Sequence, residues 1–211
     1  FYPMSTWSKW SDNELRYSLR SLNNVVHDNV YIVGHKPDFV QNVIHIPFPD
    51  KHILKDSNII SKLLRVCYED ISDDILFMSD DQYFLRPFTC ERNIAFHVGE
   101  IKRGDSSWHR RMFNTRDYLK RQRKPYLNFD CHVPQIKNKK KYGDIMLSAP
   151  WGEGQGFSVN SYYFNTLLKD SLVIPKEPDR VNDFMMTYDS VDEATKKNLQ
   201  ALFPEKSRYE L

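Results

Sequence analysis

Glycine is scarce, with 7 in 211 residues, and no Gly-x-Gly-x-x-Gly or Gly-x4-Gly-Lys run occurs. Dinucleotide and P-loop phosphate cradles of the usual kind are therefore disfavoured. The 3 cysteines, Cys67, Cys90 and Cys131, lack Cys-x-x-Cys spacing. This argues against a disulfide framework or a zinc knuckle and for a reducing, intracellular setting. No apolar run approaches the ~20 residues that a membrane span needs. The opening Phe1-Tyr-Pro-Met4 turns polar at once, unlike a secretory leader, so a cytoplasmic protein without a membrane segment is expected. What is abundant is aromatic: 14% of the residues, enough for a substantial core in a chain of this length. With neither repeats nor a linker, a single domain over 1–211 is expected.

Helical and strand periods alternate along the first third. Phe1 to Met4 reads as the end of a strand, and Ser11 or Asp12 as the cap of a helix reaching His27. Leu15, Leu19, Leu22 and Val26 form its buried stripe. Val30 to Gly34 and Val43 to Ile46 are β-branched strands. A second helix, Asp56 to Glu69, buries Ile59, Ile60, Leu63, Leu64 and Cys67. It leads into a strand from Ile75 to Met78, and Tyr83 to Leu85 alternates beyond it. Such alternation predicts an α/β fold with parallel crossovers, a Rossmann-like mixed sheet with flanking helices. Further on, a strand over 93–98, a basic helix from Ser106 or Ser107 to Arg123, a helix ending at Leu147 and another over 192–202 are expected. Residues 158–168 are aromatic and apolar, and 175–183 reads as irregular.

Charge is unevenly spread. The total is +2, yet Ile101 to Tyr142 holds 13 Lys/Arg against 3 Asp, leaving the rest of the chain at −8. A basic block in an acidic protein marks either a solvated helical face or a surface for a polyanion. Arg103, Arg110, Arg111, Arg116, Lys120, Arg121, Arg123 and Lys124 could bind phosphates, with Trp108 and Phe113 interleaved. A polyanionic acceptor is one expectation, DNA with a flipped modified base among the candidates and polysaccharide the other. A nucleic-acid-binding module without catalysis is the third reading.

The chemistry concentrates at Ile75-Leu-Phe-Met-Ser-Asp-Asp-Gln-Tyr-Phe-Leu-Arg-Pro87. An apolar strand ends in two adjacent carboxylates, Asp80 and Asp81, at the sheet edge where α/β folds bind ligands. A divalent cation or cationic ligand is their natural partner, an acidic hairpin turn the alternative. Asp130-Cys-His132 forms a second polar cluster. Asp130 suits a general base for an acceptor hydroxyl, or else only orients His132, which itself suits a metal or a phosphate. Arg16 and Arg20 share one helical face and point to solvent or to phosphate. Asn58 and Lys62 sit on the helix feeding the acidic strand, where Lys62 could neutralise the Asp pair or bind a diphosphate. Gly152, Gly154 and Gly156 mark a loop able to close over a ligand.

The blocks DNELRYSLRSL (12–22), VYIVG (30–34), ILFMSDDQYFLRP (75–87), FDCHVP (129–134) and FPEKSRYE (203–210) occur in the order seen in Stealth-type sugar-phosphate transferases. The chain is more similar still to their short, often phage-encoded, glycosyltransferase-like relatives. The resemblance implies a GT-A-like fold, with 1–90 binding a nucleotide-diphosphate sugar and 91–211 facing the acceptor. It also implies a divalent metal, Mn2+ or Mg2+, on a DxD-like motif that here reads Ser79-Asp80-Asp81, its first acid replaced by Ser. On this basis Asp81 is the expected metal ligand, Asp80 assists it or holds a sugar hydroxyl, and His132 completes the set. Pro3, Thr6, Lys9 and Trp10 would line the base and ribose. Transfer of a hexose-1-phosphate to a polysaccharide is the alternative activity.

Overall fold

The computed structural model describes residues 1–88, 95–167, 171–173, 180–187 and 191–211. Its centre is a parallel sheet. Strand β1 (Tyr2–Met4) pairs with β2 (Tyr31–Gly34), and β2 with β3 (Ile44–Ile46), both in parallel. On the other side of β1 runs β4 (Asp74–Phe77). The Phe1 backbone nitrogen donates to the Leu76 carbonyl (2.9 Å), and the Met78 N–H donates to the Phe1 carbonyl (3.0 Å). Those two bonds are the slanted pattern of a parallel pair. A further strand, Gln135–Asn138, runs antiparallel to β4, placing Lys137 opposite Ile75. The spatial order is thus β3, β2, β1, β4 and this edge strand.

Side chains of successive strand residues fall on opposite faces. Ile32 belongs to one buried cluster with Tyr2, Met4, Leu15 and Leu19, and its neighbour Val33 to another with Phe1, Ile60 and Leu63. The first cluster is covered by α1 (Asn13–Ser21), the second by α2 (Lys55–Cys67). Helices on both faces are what a sheet of β-branched, doubly buried strands requires. Each fully buried Leu or Ile contributes about 1.5–3 kcal/mol.

The remaining elements extend this layer. Strand β5 (Gln82–Phe84) leaves the sheet after the Asp80–Asp81 turn, and β6 spans Ala95–His97. Helix α3 (Ser107–Arg121) begins at Ser106, whose Oγ accepts the His109 N–H as a cap. The edge strand is β7, followed by α4 (Lys139–Leu147) and α5 (Ser161–Leu167). β8 (Ser171–Val173) pairs in parallel with β6. β9 (Arg180–Val181) and β10 (Phe184–Met186) form an antiparallel ribbon with β5, and α6 (Glu193–Leu202) follows. Among the described residues the structure is a mixed α/β one with six α-helices.

Several expected bounds change. Helix α1 stops at Ser21, and Leu22–Asn24 tighten into a 3-10 turn, leaving Val26 exposed. The strand expected over 93–98 runs from Ala95, with 93 and 94 outside the described residues; so are 175–179 of the irregular stretch, residue 168 and Cys90. Strands β7, β8, β9 and β10 were not anticipated. β7 reads Gln-Ile-Lys-Asn, and its polar letters hide a segment of which Gln135, Ile136 and Lys137 are buried. No helix among the described residues is long and apolar enough to cross a membrane.

Candidate active site

From β1 the chain steps to β2 on one side, and from β3 it returns through α2 to β4 on the other. The loops after β1 and β4 therefore diverge from neighbouring strand ends and leave a crevice, the usual ligand position in an open α/β sheet. The loop after β1 is folded around Ser8. Its Oγ accepts the N–H groups of Trp10 (3.1 Å) and Asp12 (2.7 Å) and donates to Glu14 (2.9 Å). Ser11 and Asp12 take left-handed φ values of 53° and 58°. Asp12 stands at the N-cap position of α1, but its carboxylate makes no capping bond. Oδ2 lies 3.4 Å from His35 Nε2, and Oδ1 is buried without a hydrogen-bond partner among the described residues.

Across the crevice, β4 ends in a turn closed by Gln82, whose Oε1 accepts the Ser79 N–H (3.0 Å). The turn aims Asp80 toward the first loop. Burial raises its carboxyl above the ordinary aspartate value; Lys55 opposes that shift, while Glu14 and Asp12 add to it. Asp81 lies on the β5 side, its carbonyl accepting the Thr187 N–H (3.0 Å) and its charge felt by Tyr83. Tyr83 feels the charges of Asp81, Glu14 and Asp80 together, so the two adjacent acids lie within one electrostatic neighbourhood.

Asp130 forms the second half. Its Oδ1 accepts from Ser158 Oγ (2.8 Å). Asp56, in the first turn of α2, accepts from Arg111 Nε (2.6 Å). Burial raises the Asp56 carboxyl to about 6 against Arg111, with Asp130 adding and Lys55 opposing. Lys55 is therefore within electrostatic reach of both Asp80 and Asp56 and joins the halves. Behind Asp130, Lys137 is 1% exposed, its Nζ 4.1 Å from the Phe77 ring centroid and without a hydrogen bond among the described residues. Burial lowers it to about 7, and Asp130 partly restores its charge.

The glycine loop crosses the same rim. Trp151 O accepts from Ser57 Oγ (3.1 Å) in α2, and Gly156 O from Asn114 Nδ2 (2.7 Å) in α3. Gly156 has φ +74°, and a Cβ there would meet Leu54 at 2.9 Å, so the closest approach needs glycine. Gly152 and Gly154 stay exposed.

Other expected residues are engaged elsewhere. Arg16 Nη1 and both Nε and Nη2 of Arg20 donate to Glu210 at 2.8–2.9 Å, and Arg16 also lies 3.9 Å from the Phe39 ring centroid. Burial would raise Glu210, but Arg20, the Ser207 N–H and Arg16 outweigh it and hold the carboxyl at about 2. These arginines bind the C-terminal segment, which corrects the phosphate and solvent readings alike. Lys62 donates to Met4 O (2.6 Å) and to Asp50, so its carboxylate partner is Asp50 and not the Asp80–Asp81 pair. Asn58 Oδ1 accepts the N–H groups of Lys51 (2.9 Å) and His52 (2.8 Å), knotting the loop before α2. Pro3 is half-buried in β1, while Thr6 and Lys9 are exposed on the loop. Trp10 stacks on Tyr17 at 5.6 Å, with Lys196 on its ring at 5.7 Å. Trp7 is the open indole of this loop, 79% exposed.

His132 corrects another expectation. It is exposed with φ 53°, so residues 129–134 bend and the extended geometry that would align it with Asp130 is absent. Among the described residues no three His, Cys, Asp or Glu side chains are grouped to hold a metal ion, so Asp80, Asp81 and His132 do not form one set. Arg111 turns inward to Asp56. Arg103, Arg110, Lys120, Arg121 and Arg123 are exposed, while Trp108 packs edge-on to His109 (4.7 Å) and Lys124 approaches Thr166 (3.4 Å). Sequence reasoning missed Trp7, Glu14, Lys55, Asp56 and Lys137. Only Lys55-Asp56, opening a helix beside a glycine loop's docking point, left a local trace. No protein-family model matches this chain, and no curated protein matches it.

Proposed function

We propose that the crevice between β1 and β4 binds a nucleotide-diphosphate sugar and transfers the sugar to an acceptor hydroxyl. The observation that carries this reading is Asp80: at the sheet's switch point desolvation, Glu14 and Asp12 disfavour its charge, while Lys55 and its own backbone N–H favour it. Carboxylates brought this near one another are costly unless a cation joins them. The unpartnered Asp12 Oδ1 fits Mn2+ or Mg2+, which hold one or two carboxylates and complete their shell with phosphate oxygens and water. Asp80 and Asp12 would hold the ion, with Asp81 beside them. When bound it supplies charge neutralisation at the leaving diphosphate.

The chain's own groups take the remaining tasks. Trp7 offers an open face to the base. Lys55 faces the diphosphate between Asp80 and Asp56. Asp130, held at one oxygen by Ser158, takes the acceptor's proton. The acceptor oxygen then bonds to the anomeric carbon as the bond from that carbon to the β-phosphate oxygen breaks. The 152–156 loop limits water at the reacting carbon.

Thermal unfolding in the presence of nucleotide sugars, with and without Mn2+ or Mg2+, tests this. A donor at 100 times its Kd stabilises by about 2.7 kcal/mol, which raises Tm by roughly 5–10 °C in a chain this long. The rise should need metal and vanish in Asp80→Asn. No shift with any donor sinks the proposal. A product heavier by sugar plus phosphate replaces sugar transfer by hexose-1-phosphate transfer.

A further inference from the structure

The outward side of α3 is a cationic strip. Arg110 and Arg121 are eleven residues apart, three turns, so they project within about 20° of each other and about 16 Å apart along the axis. Lys120 flanks them, Arg123 follows the helix end, and Arg103 precedes it; all five are exposed. In other elements Arg16 and Arg20 pair with Glu210, Lys62 with Asp50 and Arg65 with Glu69, and on α3 itself Arg111 turns inward to Asp56. Among the described residues, none of the five on this strip has a carboxylate within ion-pair distance; the pair on α3's outer side is Arg116 with Asp117. Arg110 spends one nitrogen on the Asp105 carbonyl (3.0 Å), leaving further guanidinium donors outward. Asp105 and Asp117 are the acids on this side.

We infer that the outer face of α3 docks the phosphate backbone of double-stranded nucleic acid. Four of the five cations on this strip are arginines, whose planar fork can hold phosphate oxygens bidentately. From Arg110 to Arg121 the helix runs about 16 Å, the length of roughly five phosphates on one strand. The inner side of the same helix carries Arg111 and Thr115 to Asp56 and Ser158. A duplex held on the outer side therefore lies one helix diameter from the crevice. This surface stands whether or not the crevice transfers sugars.

Fluorescence anisotropy with a labelled 24-base-pair duplex, from 50 to 200 mM salt, tests the inference on the full chain. Affinity should fall steeply with salt, and Arg110→Gln with Arg121→Gln should reduce the log–log slope by about 1.8, since each phosphate contact contributes about 0.9. The charge-matched pair Lys140→Gln with Lys141→Gln, on exposed residues of α4, should leave the slope unchanged. No binding at 50 mM salt overturns the inference, as does equal loss in both double variants. So does displacement of the duplex by a polyuronate at lower charge concentration than competitor DNA. Melting temperatures of both variants within about 2 °C of the parent show the fold intact, because every substituted side chain is exposed.

Discussion

A buried lysine without a hydrogen bond is expensive, and Lys137 is one. Phe77 and Phe164 give its ammonium ring faces at 4.1 and 5.5 Å, and Asp130 is the opposite charge near it. With a folded value of about 7 against 10.5 unfolded, the native state binds fewer protons than the unfolded chain between those pH values. Stability therefore rises as pH rises from 7 toward 10.5, by on the order of 2 kcal/mol between pH 7 and 9. Urea unfolding of the parent should show that gain, and Lys137→Met should show none of it. Equal pH profiles would mean the ammonium stays charged. Asp80 makes the complementary case. Its carboxylate destabilises the fold it sits in, so Asp80→Asn should raise Tm at pH 7 by roughly 2–4 °C, about 1 kcal/mol, while donor binding is lost. A lowered Tm would make Asp80 a structural residue and remove the basis of the site.

Among the elements, α1 depends on a segment almost two hundred residues away. Glu210 is fully enclosed, and its two oxygens take both Arg16 and Arg20 as well as the Ser207 N–H (2.9 Å). Around it Gln41 N–H donates to Tyr209 O (2.9 Å) and Leu211 N–H to Phe39 O (2.9 Å), fastening the segment to the loop after β2. Glu210→Gln leaves two guanidiniums facing a neutral amide and should cost about 3 kcal/mol, read as a fall in the denaturation midpoint at constant m-value. Since this carboxyl is held at about 2, its stabilising pairs persist above the unfolded glutamate range. They weaken as pH falls from about 4.5 toward 2, and the parent should lose its advantage over Glu210→Gln in that window. The helix carrying Arg16 and Arg20 was legible from its period. That it meets Glu210 was not, because nothing local to either segment marks a partner at such separation.

At the scale of the molecule, the two halves of the chain are interleaved. β7 completes the sheet edge beside β4, and Val40 bridges Glu210. A fragment of residues 1–90 should therefore be unfolded by circular dichroism, and the whole chain should melt in one transition. A folded 1–90 fragment would establish an independent half.

The strands around Ile32 and Phe77, and the helices carrying Leu15 and Leu63, were readable because period and propensity depend on neighbours a few residues away. So was the acidic end at Asp80, since a strand's end and its next residues are contiguous. β7 escaped because burial of Lys137 contradicts what its letters suggest. The sequence by itself determined the alternation of elements, the acidic strand end and the basic block. Only the tertiary structure decided that Trp7 and not Trp10 is open, that Arg111 faces inward while Arg110 faces out, and that Lys62 answers Asp50. Those outcomes depend on distances between residues remote in the chain, which packing sets and local pattern does not encode.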